Sequence, residues 1–108
     1  MRALVAVVGA TPSFEVVGQA SSGEESLVLA DEVNPDLVIM DVNLPGIDGL
    51  EATRRLRART SPPVVMLLST HDEDAGELFV AESGASEYVT KSAFGPQRLA
   101  EGWFRSQG

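Results

Sequence analysis

The stretch Leu37-Val38-Ile39-Met40-Asp41 does most to restrict what this chain can fold into. Four consecutive apolar residues end abruptly on a carboxylate. An unbroken apolar run containing Val and Ile is predicted to be a strand buried on both faces. That is the habit of a parallel sheet rather than of a half-solvated antiparallel one. A charge at the end of such a strand costs free energy unless the fold has a use for it.

The rest of the chain alternates in the same sense. Residues 14–19, Phe-Glu-Val-Val-Gly-Gln, read as a strand. Ser22-Gly23-Glu24-Glu25 is a capping box that opens a helix, and Asn34-Pro35 stops it. After the strand at 37–41, Pro45-Gly46 turns the chain, and Asp48-Gly49-Leu50-Glu51 opens a second helix, with Asp48 as its N-cap. Arg55, Arg57 and Arg59 suit that helix's C-terminal end. Pro62-Pro63 precedes a strand at 64–68. Asp72, Glu73 and Asp74 place acids at the start of a third helix that closes at Gly84. A short strand at 87–90 and a last helix at 94–104 complete a β-α-β-α-β-α-β-α order from residue 14 onward. This order predicts one α/β domain over residues 1–108, an open parallel sheet with helices on both faces. The first eight residues are ambiguous. Val5, Val7 and Val8 favour a strand, whereas Ala3, Leu4 and Ala6 tolerate a helix.

Bulk properties exclude several classes of function. The chain has 108 residues, a net charge of −8 and no cysteine. An acidic domain does not bind nucleic acid by general charge attraction. No apolar run approaches a membrane span, the N-terminus does not read as a signal peptide, and the lack of thiols fits a reducing cytoplasm. Half of the eight basic residues lie between Arg54 and Arg59, which reads as a solvated helix end or a contact for an acidic partner. The one histidine, His71, reads as an exposed loop residue. The stretch 7–13 holds one glycine of the three in a dinucleotide fingerprint, so no such cofactor is expected.

In open α/β sheets the working residues stand at the carboxyl ends of the strands. Three polar residues fall there: Asp41, Ser69 and Lys91. A carboxylate is a competent nucleophile toward phosphorus. The phosphoryl group in transit spreads charge over its oxygens and needs a cation and hydroxyl donors around it. Lys91 and Ser69 supply both, and a divalent metal normally supplies the rest.

From about residue 14 to 103 the chain resembles a response-regulator receiver domain of the chemotaxis-regulator (CheY-like, flavodoxin-like) type. The resemblance rests on "DLVIMDVNLPGIDG", "VVMLLS" and "EYVTK", in order and at matching separations. It implies that Asp41 is the phosphoacceptor, that Lys91 is its lysine partner, and that Ser69 is the hydroxyl switch residue, with Thr70 as the other register. It implies that Tyr88 is the aromatic switch residue. It also implies Mg²⁺ held by Asp41 and the backbone carbonyl of Asn43.

Two departures stand out. Ser92 follows Lys91 where much of the family carries proline. More seriously, receivers begin with a strand ending in a pair of metal-binding acids, followed by a helix. Here 13 residues precede Phe14, where a strand, turn and helix need roughly 18 or more. Residues 1–14 contain no Asp or Glu. The chain is therefore expected to be N-terminally truncated, with residues 1–13 either a remnant of the first helix or a replacement strand, and with a weak or absent Mg²⁺ site. In the family's strand order, 2-1-3-4-5, the missing strand is central. Three outcomes follow: a replacement strand, completion by a second copy through dimerisation or element swapping, or a loose, aggregating fold. Completion by a second copy is favoured.

The expected function is that of a stand-alone receiver in a two-component phosphorelay. A histidine kinase donates phosphate to Asp41, and a downstream protein partner reads the result. The alternative is a phosphorylation-independent binding or dimerisation module, or a fragment of a longer regulator. A small-molecule enzyme is disfavoured because no second acid–base group accompanies the carboxylate.

Overall fold

The computed structural model describes residues 2–43, 46–69 and 76–107. Thr70, His71, Asp72, Glu73, Asp74 and Pro45 lie outside them. The order is α1 (Arg2–Gly9), α2 (Gly23–Val33), β1 (Leu37–Asp41), α3 (Gly49–Arg57), β2 (Val64–Ser69), α4 (Gly76–Ser83), β3 (Glu87–Thr90), a 3-10 turn (Lys91–Ala93) and α5 (Pro96–Gln107). The three strands form a parallel sheet in the order β1-β2-β3. Leu37 stands beside Val64, Asp41 beside Leu68, and Met66 beside Glu87.

The pleat sorts the strand side chains into two cores. Met40, Val65 and Leu67 pack with Ala30 of α2 and with Ala52 and Leu56 of α3, and Val38, Phe79 and Tyr88 join them at the edge. Met66, Leu68 and Val89 face the other way, onto Leu99 of α5, with Val7 and Val8 of α1 nearby. Helices thus cover both faces, as the unbroken apolar strands require.

Local signals place the helix ends. Ser22 Oγ accepts from the Glu25 amide at 3.1 Å, and Glu25 Oε1 returns to the Ser21 amide at 2.9 Å. Asp48 caps α3 by accepting from the Glu51 amide at 2.8 Å. Asn34 ends α2 in the left-handed conformation, φ 44°. The arginines of α3 and Arg59 just beyond it are braces more than a free cationic patch. Arg54 and Arg55 pair with Glu51, Arg57 donates to the Pro63 carbonyl, and Arg59 reaches the Leu27 carbonyl and Asp31.

One predicted strand is not there. Residues 14–20 carry no regular secondary structure, so the sheet of the described residues has three strands rather than four. The reason is physical. A β-rich segment becomes a strand only by pairing, and no described strand stands beside it to accept its backbone. Arg2–Gly9 is helical, not a replacement strand. Its Val7 and Val8 pack on the α5 side of the sheet, and the Thr11 hydroxyl donates to the Val7 carbonyl at 2.6 Å.

The last helix is fixed electrostatically. Glu87, 16 % exposed, accepts from Arg98 at 3.2 Å and from Arg105 at 2.7 Å. Burial opposes its charge, but the two arginine hydrogen bonds outweigh burial and hold the carboxyl below its usual 4.5. Glu87→Gln is expected to cost about 1–2 kcal/mol at neutral pH, less than a fully buried pair because Arg105 is well exposed. A depressed pKa gives stabilisation that is complete above 4.5 and is lost as pH falls through the lower folded value. Urea denaturation from pH 7 downward should therefore show the wild-type advantage shrinking below that point.

Candidate functional site

The carboxyl ends of all three strands meet at one edge of the sheet. Asp41 is the last residue of β1, Ser69 the last of β2, and Lys91 follows β3 at the head of the 3-10 turn. Lys91 Nζ lies 2.7 Å from Asp41 Oδ2, and the Asn43 amide donates to Asp41 Oδ1 at 2.9 Å. Both carboxylate oxygens are engaged, which accounts for a charge at the end of an apolar strand. The Asp41 side chain is 19 % exposed and that of Lys91 43 %, so the pair is open to solvent on one side.

The spacing explains the choice of lysine. Neighbouring strands lie about 4.8 Å apart, so β1 and β3 are separated by roughly twice that across β2. A long, flexible cation reaches over the end of β2, where a short side chain could not. Pleat parity puts Asp41 on the α5 side of the sheet, and Lys91 reaches it from the 3-10 turn that follows β3. Ser69, Tyr88 and Thr90 take the α3 side. Ser69 is fully buried beside Thr90 in register. Tyr88 is half-buried, and its ring packs at 5.8 Å from that of Phe79. Of the predicted residues, the structure brings Asp41, Asn43 and Lys91 into direct contact. It sets Ser69 one step along the neighbouring strand and packs Tyr88 into the core. Thr70, the other register for the hydroxyl, is outside the described residues.

Two contributors were not anticipated. Glu24, read as part of a cap, accepts from the Ile47 amide at 3.2 Å and so ties α2 to the loop that follows Asp41. Gly46 adopts φ 77° in that loop, a conformation suited to glycine. Gly49 is the second. A Cβ there would run into the Asp41 carbonyl and the Val42 backbone. The "DG" of the motif therefore combines a helix cap with a close backbone approach.

The donor set fits a divalent metal poorly. Mg²⁺ demands octahedral oxygen ligands and usually more than one anionic group. Among the described residues no three acidic, histidine or cysteine side chains cluster. Among the described residues, Asp41 and the Asn43 carbonyl are the donors that the resemblance implies, and Lys91 already occupies one Asp41 oxygen.

A family model for the response regulator receiver domain matches residues 1–102. The chain belongs to this family. Response regulator GacA of Pseudomonas viridiflava is 50 % identical over 81 residues, 74 % of this chain and 37 % of that protein. Among solved structures, a LuxR-family two-component response regulator from Aurantimonas sp. SI85-9A1 superposes with TM-score 0.81 at 35 % identity, covering 93 % of this chain and 71 % of that one. The chemotaxis response regulator CheY4 of Vibrio cholerae shares the fold, with TM-score 0.78 at 24 % identity over 97 % of this chain and 90 % of that one. The chain spans little more than a third of the length of curated relatives such as GacA and DegU of Brevibacillus brevis. Receiver domains take phosphate from histidine kinases, generally bind Mg²⁺ at the phosphorylation site and are generally not enzymes in their own right. No helix among the described residues is long and apolar enough to cross a membrane.

Two substitutions separate packing from charge. Gly49→Ala should cost about 1–3 kcal/mol, because the obstacle is backbone and cannot rotate away. Lys91→Ala should change stability by less than about 1 kcal/mol, since the pair is partly solvated. Thermal melts of the two variants beside wild type check both.

Proposed function

We propose that this receiver accepts a phosphoryl group on Asp41 from a phosphohistidine of a histidine kinase and passes the signal on by protein contact. One observation carries the reading: Lys91 Nζ at 2.7 Å from the Asp41 carboxylate, at the mouth of the sheet. A carboxylate oxygen attacks phosphorus, the P–N bond to the donor imidazole breaks, and its electron pair leaves with the imidazole. Lys91 then moves from carboxylate to phosphoryl oxygens and balances their charge. Ser69 supplies a hydroxyl from the adjacent strand end. Tyr88 responds through its packing on Phe79, so that α4, β3 and α5 form the face that a protein partner reads. No step is assigned to Mg²⁺, because the described donors do not make a good site for it.

The stand-alone arrangement is part of the proposal, as is a cytoplasmic location. The curated relatives are longer regulators. The thin metal site favours a second reading, in which the same fold is a binding or dimerisation module that works without phosphate.

Intact-mass measurement after incubation with acetyl phosphate, with and without Mg²⁺, decides between them. The expected result is a gain of one phosphoryl group in wild type, none in Asp41→Asn, and a rate at least about tenfold lower in Lys91→Ala. A folded wild-type sample that gains nothing in either buffer defeats the phosphoacceptor reading and leaves the binding module.

A further inference from the structure

Glu24 stands in the first turn of α2, and both of its carboxylate oxygens accept from the Ile47 amide, at 3.3 and 3.2 Å. Two glycines bring the elements together at that point. A Cβ on Gly46 would run into the Glu24 carboxylate, and a Cβ on Gly23 would run into the Ile47 carbonyl. The start of α2 and the approach to α3 are thus in close contact, and Glu24 supplies the hydrogen bond across it.

The needs of α2 itself do not explain this glutamate. Ser22 caps the helix and Glu25 returns to the Ser21 amide, so the capping box is complete without Glu24. A negative charge in the first turn suits the helix dipole, but an aspartate would meet that need equally well. The reach to Ile47 is what calls for the longer side chain.

From Ile47 the contacts lead to the site. Asp48 caps α3, and the Gly49 amide donates to the Val42 carbonyl at 3.0 Å. Gly49 lies so close to the Asp41 and Val42 backbones that it leaves no room for a Cβ. The Val42 amide in turn donates to the Leu68 carbonyl of β2 at 2.9 Å. Val42 stands between Asp41 and Asn43, and the Asn43 amide holds Asp41 Oδ1 at 2.9 Å. A shift at the start of α3 therefore reaches the Asp41 carboxylate through Gly49 and Val42.

We propose that Glu24 is a positioning residue for phosphoryl acceptance at Asp41. By holding the Ile47 amide it sets where α3 begins, and so fixes Val42 and the Asn43 amide against the carboxylate. This role rests on the phosphoacceptor reading of Asp41. A nucleophile whose orientation is set before the donor arrives reacts faster than one that samples several.

Two conservative variants of the full chain separate the hydrogen bond from the charge. Glu24→Gln keeps the reach and an accepting oxygen but loses the charge. Glu24→Asp keeps the charge at the helix start but withdraws the oxygen from Ile47. With acetyl phosphate as donor, an Asp41 oxygen bonds to phosphorus as the P–O bond to acetate breaks, and acetate leaves with the electron pair. Intact mass follows that gain over time. Solvent exchange of the Ile47 and Asn43 amides, read by NMR, follows the loop in the unphosphorylated chain. Glu24→Asp is expected to accept phosphate about three- to tenfold more slowly and to exchange both amides faster by a similar factor, whereas Glu24→Gln stays within about twofold of wild type on both. If Glu24→Asp fails to fold, Glu24→Ala takes its place with the same expected outcome. A Glu24→Asp chain phosphorylated as fast as wild type overturns the positioning role, and so does slowing confined to Glu24→Gln, which assigns the effect to charge. Faster exchange at Ile47 with Asn43 unchanged overturns the route through Gly49. A wild type that gains no phosphoryl group, while Glu24→Asp frees both amides, overturns the phosphoacceptor reading and with it any role of Glu24 in the transfer.

Discussion

The central strand β2 is the constraint on which the rest depends. Among the described strands it alone has a neighbour on both sides, and Val65 to Ser69 are fully buried. Leu67 and Val65 are held under α3, Met66 and Leu68 under α5. Such a strand cannot slip by one residue, because that would exchange every side chain between two differently shaped cores. Its register then sets the positions of β1 and β3, and so the heights at which Asp41 and Lys91 leave the sheet. The 2.7 Å contact between them is a consequence of β2 packing as much as of their own attraction. The pair itself is half-solvated and contributes little to holding the fold.

What the sequence revealed depended on whether the cause was local. The strands at 37–41 and 87–90 fall where their apolar and β-branched runs put them, and Ser22, Asp48 and Asn34 terminate helices by hydrogen bonds within a few residues. The stretch 14–19 has the same local character as those strands but failed, because pairing is not a local property. The first eight residues were undecidable for the opposite reason. Their intrinsic preference is weak, and packing of Val7 and Val8 against the sheet favours the helix. The last helix runs from Pro96 to Gln107, later than its apolar pattern suggested, because Lys91–Ala93 forms a 3-10 turn first.

The site divides in the same way. Asp41, Ser69 and Lys91 could be found because strand ends in a parallel sheet are a rule of topology. Glu24 could not. It lies 23 residues from the amide it holds, and a glutamate after a capping serine is already explained by the cap. Tyr88 was legible as a residue but not in its placement. The ring is shared between the strand and α4, packing on Phe79 and lying close to Gly76. An outward tyrosine on that strand would have given the same sequence.

β1 ends in the site and is open along one flank. Its carboxyl end carries Asp41, fixed by Lys91 and the Asn43 amide, and its outer edge has no neighbour among the described strands. Val38 and Ile39 are only half-buried, unlike the matching Val65 and Met66 of β2, because one flank of the strand is uncovered. A strand bonded on one side opens locally at lower cost than one bonded on both, and its last residue shares that freedom. Catalysis at a carboxylate rewards the reverse, a nucleophile whose position is settled before the donor arrives. Covering the outer edge of β1 therefore stiffens the site even when no atom of the cover touches Asp41.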